Sequence, residues 1–156
     1  MTASAPAAHP GIAELALLVV RRGLGLGRLT DERRQAVLAV AAAALAADEA
    51  PGERDASARL ADWLQGPAAC LDTDAAELRR WLVDTGWWQR DGFGRAYRRT
   101  PPGQLGPQAR PWADALQSAA GADDPAAVAA WVAGLAAEAA QRRAERRQAA
   151  IGPGSP

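Results

Sequence analysis

The chain is expected to be mainly α-helical with one small β-hairpin, and three observations lead there. Alanine supplies 41 of the 156 residues, which raises helix propensity along most of the length. Apolar residues recur at the three- and four-residue spacing of a single helix face in several successive segments. The third observation is the run from Asp74 to Arg99. An amphipathic stretch stops at Gly86, and two short segments, Trp87–Arg90 and Arg95–Arg99, then flank the turn Asp91-Gly-Phe-Gly94. A helix, a glycine stop and a ribbon with arginines at base and tip is the order in which winged-helix domains finish. The expected architecture is a winged-helix-like domain with flanking N- and C-terminal helices.

Taken in order, residues 1–10 read as a disordered leader rich in Ala and Pro, and residues 11–29 as an N-terminal helix and loop. The helix spans about Gly11 to Arg22 and presents Ile12, Leu15, Leu18 and Val19 on one side. The loop Gly23-Leu-Gly-Leu-Gly27 has the spaced glycines of a phosphate cradle. No strand precedes it and no Lys-Ser/Thr follows, so it reads as a linker. Residues 30–100 form the winged-helix-like unit. Thr30 caps a helix of about 31–47 with Val37, Leu38, Ala41 and Leu45 inward. Ala50-Pro-Gly52 breaks it, and a helix of about 53–64 buries Leu60, Trp63 and Leu64. Gln65 to Asp72 contains Gly66-Pro67 and turns the chain. These eight residues exceed the three or four of a strict helix-turn-helix, and Ala69–Leu71 can add a short third strand to the hairpin.

The helix of about 73–85 follows from Leu78, Trp81, Leu82 and Thr85 at i, i+3, i+4 and i+7. Thr73 or Asp72 can cap it, and Gly86 supplies the left-handed position that ends it. Arg79, Arg80 and Val83 fall on the opposite side, where Glu77 and Asp84 compete for the guanidinium groups. A four-residue hairpin loop places Trp88 opposite Tyr97 as an aromatic pair, and Arg90 opposite Arg95. A three-residue loop pairs Asp91 with Arg95 instead and sets Trp88 against Arg98. The first register is preferred because both aromatics then share one face.

Residues 101–111 read as a linker opened by Thr100-Pro-Pro-Gly103, and residues 112–156 as a C-terminal helical extension. Trp112–Ala119 is a short helix. Asp124 as cap and Pro125 at the first helical position start a longer one, to about Ala149, with Val128, Trp131, Val132 and Leu135 as its stripe. Arg142, Arg143, Arg146 and Arg147 fall in its last turns, where cations suit the helix dipole. Gly152–Pro156 should fray. In a core of small residues, Trp63, Trp81, Trp88, Trp112 and Trp131 are the expected wedges.

Chemistry is sparse. Cys70 is the only cysteine and sits in an apolar context, which suits a buried structural thiol; His9 is the only histidine. No Cys/His spacing offers a metal cage, and no catalytic Ser-His or Cys-His pair can form within the fold. Neither an enzyme nor a cofactor site is expected. The apolar run Leu15–Val20 is too short to span a bilayer and lacks the flanks of a secretory signal, so a cytoplasmic protein is expected.

Asp74, Leu78, Arg79, Arg80, Leu82, Val83, Asp84, Gly86, Arg90, Gly94, Tyr97 and Arg99 stand in the order Asp, then Leu-Arg-Arg-x-Leu-Val-Asp-x-Gly, then Arg, Gly and Tyr-x-Arg. That order resembles the bacterial domain-of-unknown-function family 2087, which occurs alone and attached to predicted transcriptional regulators. The resemblance covers roughly residues 30–100 and implies a winged-helix-like domain, without a known activity. Upstream, the family's Ser/Thr-Glu-x-Glu-Val-Asn is echoed by Glu53, Arg54 and Asp55, with Ala56 and Ser57 standing where Val and Asn would be.

Net charge is zero, unlike a strongly basic DNA binder. Within 73–99, six arginines (Arg79, Arg80, Arg90, Arg95, Arg98, Arg99) meet four acids (Asp74, Glu77, Asp84, Asp91), a local excess of two. These six are the candidate nucleic-acid-binding residues, chiefly through phosphate. Solvated, locally paired arginines are the plainer account of the same residues. Of Arg98 and Arg99, consecutive on a strand, one must leave the core side. The first functional expectation is a non-enzymatic DNA-binding regulator or accessory protein, the helix of about 73–85 in the major groove and the hairpin on the backbone. The alternative is a protein-interaction module that keeps the fold without DNA binding and dimerises through its flanking helices. A small-molecule sensor finds no convergent polar pocket in the sequence.

Overall fold

Helix α2 (Asp31–Ala42) is the centre of the computed structural model, which describes residues 11–93, 95–121 and 123–152. The expected leader with His9 and most of the expected frayed end lie outside the described residues. Thr30 caps α2 as expected, its hydroxyl accepting from the Arg33 amide. Every residue from Ala36 to Leu45 is buried, so this segment is enclosed on all sides and carries no single inward stripe. It ends at Ala42, short of residue 47, because the chain tightens there. The amides of Ala43, Ala44 and Leu45 donate to the carbonyls three residues back, the bonding of a 3-10 turn. Arg59 reaches the Ala44 carbonyl at 3.5 Å and is ion-paired with Glu49, which accepts from the Ala46 amide. The carbonyl end of the segment is thereby closed.

Alanine at the centre leaves room for indoles to approach the helix backbone. Trp63 Nε1 donates to the Val40 carbonyl at 2.9 Å and Trp88 Nε1 to the Ala42 carbonyl at 3.0 Å. Trp87 Nε1 donates to Gln35 Oε1 at 2.7 Å. Trp87 was not among the expected wedges, yet it is as buried as Trp88. At the start of a strand consecutive side chains face opposite ways, and here both directions lead into the core. Trp112 is buried too, while Trp63, Trp81 and Trp131 are half-buried.

Two groups of elements meet on α2. One is α1 (Ile12–Val19), α5 (Arg110–Ala120) and α6 (Pro125–Ile151), which pack on one another. The other is α3 (Glu53–Leu64), α4 (Ala75–Asp84) and the hairpin of β1 (Trp88–Arg90) and β2 (Tyr97–Arg99). One core joins them, with Leu15, Leu18 and Val19 of α1, Leu116 of α5 and Val128 and Val132 of α6 continuous with Leu60, Leu78 and Leu82. Asp124 caps α6 and Pro125 opens it, as expected. The stretch expected as linker holds a 3-10 turn at Pro102–Gln104, and α5 begins at Arg110, before its expected start. The result is a mainly α fold, six helices and one two-stranded antiparallel hairpin among the described residues. Three helices followed by a hairpin, α2 to β2, are consistent with a winged-helix-like arrangement. No helix among the described residues is long and apolar enough to cross a membrane.

Two local expectations are corrected. Asp74, not Thr73 or Asp72, caps α4, accepting from the Glu77 amide at 2.8 Å, while the Thr73 hydroxyl donates to the Glu77 carboxylate. Ala69–Leu71 is not a third strand of the hairpin. Leu71 bridges to Leu24 in parallel, with Leu24 N donating to the Cys70 carbonyl and Asp72 N to the Leu24 carbonyl. The outer edge of β2 is met instead by the loop after α2, where the Pro51 carbonyl accepts from the Tyr97 amide at 2.9 Å. Glycine in that loop matters at Gly52, whose added Cβ would come within 3.3 Å of the Arg95 carbonyl.

Candidate nucleic-acid interface

The hairpin register differs from both expected ones. Trp88 faces Arg99, Gln89 faces Arg98 and Arg90 faces Tyr97, and the Asp91 amide donates to the Ala96 carbonyl. Pairing is thus displaced by two residues from the preferred register, and Arg90 no longer opposes Arg95. Asp91 accounts for the displacement. Its carboxylate accepts from the amides of Arg95 at 2.8 Å and Phe93 at 3.1 Å, so the loop begins after Asp91 and closes at Ala96. Those amides, that of Arg95 foremost, hold the Asp91 carboxyl below its usual range. Gly94 of the expected turn lies outside the described residues. A shift of two keeps every side chain on its face, so the aromatic contact survives as a diagonal pair, ring centroids 6.4 Å apart.

The six candidate arginines separate into three settings. Arg90, Arg95 and Arg98 are exposed on the hairpin, with Arg95 5.9 Å from the centroid of the exposed Phe93 ring. Arg98 leaves the core side, as one of its pair must. Arg99 turns inward, and burial lowers the pKa of its guanidinium despite the field of Asp123. Arg80 is exposed on α4 among Ala76, Glu77 and Asp84, which are also exposed. The outward face of α4 therefore carries two carboxylates to one guanidinium.

Arg79 stands apart. Its guanidinium is ion-paired with Glu53 at 2.9 Å, donates to the Ser57 hydroxyl and lies 5.6 Å from the Tyr97 ring centroid. The expected competition from Glu77 and Asp84 is replaced by partners on α3, because Arg79 lies on the side of α4 that packs there. Glu53 belongs to the upstream echo of the family pattern, and Ser57 stands where that pattern has Asn; Arg79 and Tyr97 belong to its main part. The two halves of the pattern meet at this guanidinium and tie α3, α4 and β2 together. Spacing along one helix could not disclose a partner 22 or 26 residues away.

Elsewhere the chemistry is structural. Cys70 is buried, and desolvation pushes its thiol up to about 11. Arg34 donates to the carbonyls of Leu26 and Leu29, pairs with Asp31 and lies 5.0 Å from the Trp81 ring centroid. No group of carboxylate, Cys or His side chains suited to a metal ion occurs among the described residues. One cavity of about 490 Å³ went unforeseen, since Glu14, Asp31, Glu32, Gln35, Gln108 and Trp112 come from distant parts of the chain. Two of its carboxylates already face arginines, Glu14 toward Arg33 and Asp31 toward Arg34.

Three helices closed by a ribbon, with residues of α3, α4 and β2 converging on one arginine, describe a compact domain. Residues 29–99, from just before the cap of α2 to the end of β2, match the family model of an uncharacterized protein conserved in bacteria (DUF2087). Helices α1, α5 and α6 lie outside the matched span. No curated protein and no solved structure matches the chain.

Proposed function

We propose that this chain is a non-enzymatic DNA-binding regulator or accessory protein whose hairpin engages backbone phosphate. The observation that carries the reading is the exposure of Arg90, Arg95 and Arg98 on one ribbon whose only acid, Asp91, has its carboxylate occupied by two backbone amides. Exposed arginines, none of them ion-paired among the described residues, match phosphate oxygens in geometry and charge. The contact positions a duplex without reading it. Helix α4 contributes little to base recognition in this proposal, since its outward face presents Glu77 and Asp84 beside Arg80.

Fluorescence anisotropy with a labelled duplex across a salt series tests this. Each neutralised phosphate contributes a log-log slope of about −0.9, so three contacts give roughly −2.7. Replacing Arg90, Arg95 and Arg98 together by Ala should abolish that slope and leave the far-UV spectrum unchanged. An unmodified chain that shows no duplex binding at about 50 mM salt rejects the proposal. One specific observation favours a second reading, a protein-interaction module without DNA affinity that dimerises through its flanking helices. The pattern arginine best placed to mark a functional face, Arg79, is committed to Glu53, Ser57 and Tyr97 inside the domain. That reading predicts duplex indifference together with a concentration-dependent dimer in sedimentation.

A further inference from the structure

We infer that the groove between α1 and α6 is a docking site for an acidic amphipathic helix of a partner protein. The groove has a volume of about 470 Å³. Its floor is apolar, built from Leu17 of α1, Val20 just after that helix and Leu135 of α6, with alanines between them. Its rim is cationic, with Arg142, Arg143 and Arg146 all from α6, and no carboxylate lines it among the described residues. Leu17 is 65% exposed, one of three large apolar side chains left so open among the described residues. A leucine held open beside a cationic rim has the two features by which a groove takes an amphipathic helix, apolar anchors below and opposite charge alongside.

Charge decides the occupant. Arg142 is loosely paired with Glu138 at 3.6 Å, whereas Arg143 and Arg146 make no ion pair among the described residues. The lining of α6 from Leu135 to Arg146 extends over roughly 16 Å, about three turns, which matches a short partner helix. A second copy of this chain docking symmetrically would set these arginines against themselves. Nucleic acid would satisfy the arginines but press its polar backbone onto Leu17 and Val20. A helix with leucines on one face and glutamates on its flanks satisfies both. Such binding is independent of the hairpin, because none of the groove residues belongs to it.

The test uses the full chain and a labelled 18-residue synthetic peptide with Leu on one helical face and Glu on the flanks, beside a twin carrying Lys for Glu. Anisotropy should show binding of the Glu peptide and at least tenfold weaker binding of the Lys twin. Leu17→Asp, and separately Arg143→Glu with Arg146→Glu, should each weaken the Glu peptide at least tenfold while the far-UV spectrum holds. All three positions are exposed, so the fold survives the changes. The hairpin triple Ala variant should bind the Glu peptide as the unmodified chain does. Equal binding by groove variants and the unmodified chain, or no binding of the Glu peptide at about 100 μM, overturns the inference. So does a dimer in sedimentation that Leu17→Asp dissolves, which makes a second copy the occupant. Duplex or anionic vesicles that displace the peptide through Arg143 and Arg146 likewise overturn it.

Discussion

Arg79 and Arg80 are adjacent in sequence and alike in charge, and the fold gives them opposite work. Arg79 combines an ion pair, a hydroxyl contact and a face-on aromatic ring, so Arg79→Ala should destabilise the domain by about 1 kcal/mol in urea titration. Arg80→Ala, at an exposed position among acids, should change stability by less than about 0.5 kcal/mol. Arg79→Lys should not restore the loss, because one ammonium cannot serve a carboxylate, a hydroxyl and a ring together. Cys70 gives stability a dependence on alkaline pH. Its folded-state thiol pKa is raised from the ordinary 9.0 to about 11. Below pH 9 both folded and unfolded chains hold the proton, and stability is unaffected. Between pH 9 and 11 only the unfolded chain ionises, so stability falls by up to about 3 kcal/mol. Urea midpoints at pH 8 and pH 10.5 should show that fall, and Cys70→Ala should remove it.

Helix α4 shows how much of an element rests on its ends. Asp74 supplies the cap and Gly86 the stop, with φ at +84°. No atom stands within 4 Å of a Cβ added at Gly86, so the cost of Gly86→Ala is backbone strain alone, about 1–2 kcal/mol. Gly86→Asn, which tolerates the left-handed region better, should recover part of it in the same melt. The hairpin owes its register to a comparable local device, the Asp91 carboxylate on two loop amides. Side-chain partners across the strands do not fix this pairing. Faces are set by parity, which the alternation of Trp88 and Tyr97 displayed. Register depends on where the loop closes, and one carboxylate moved that by two residues.

At the scale of the whole molecule, a single core spans the family-matched segment and its flanking helices. The last turns of α6 are outside it: residues 140–151 are exposed throughout. Truncation after Gln141 should therefore change unfolding free energy by less than about 0.5 kcal/mol, measured by urea titration, while removing Arg142, Arg143 and Arg146 from the groove and with them the Glu-peptide binding. The zero net charge hides a separation of sign. Acids collect on the outward face of α4 and around the cavity of Glu14, Asp31 and Glu32, whereas exposed arginines collect on the hairpin and the end of α6.

Local chemistry in the sequence determined which segments are helices, where α2, α4 and α6 begin or stop, and that a ribbon follows Gly86. Caps, glycine stops and apolar spacing act within a few residues, so no distant contact is needed to read them. Tertiary structure decided the rest. It enclosed Ala36–Leu45 on every side, drew Trp87 into the core, gave Leu71 to Leu24 and the edge of β2 to Pro51, and took Arg79 from the candidate surface for Glu53, Ser57 and Tyr97. Those outcomes depend on pairs of residues far apart in the chain. Packing brings such pairs together, and no periodicity along the chain encodes which of them will meet.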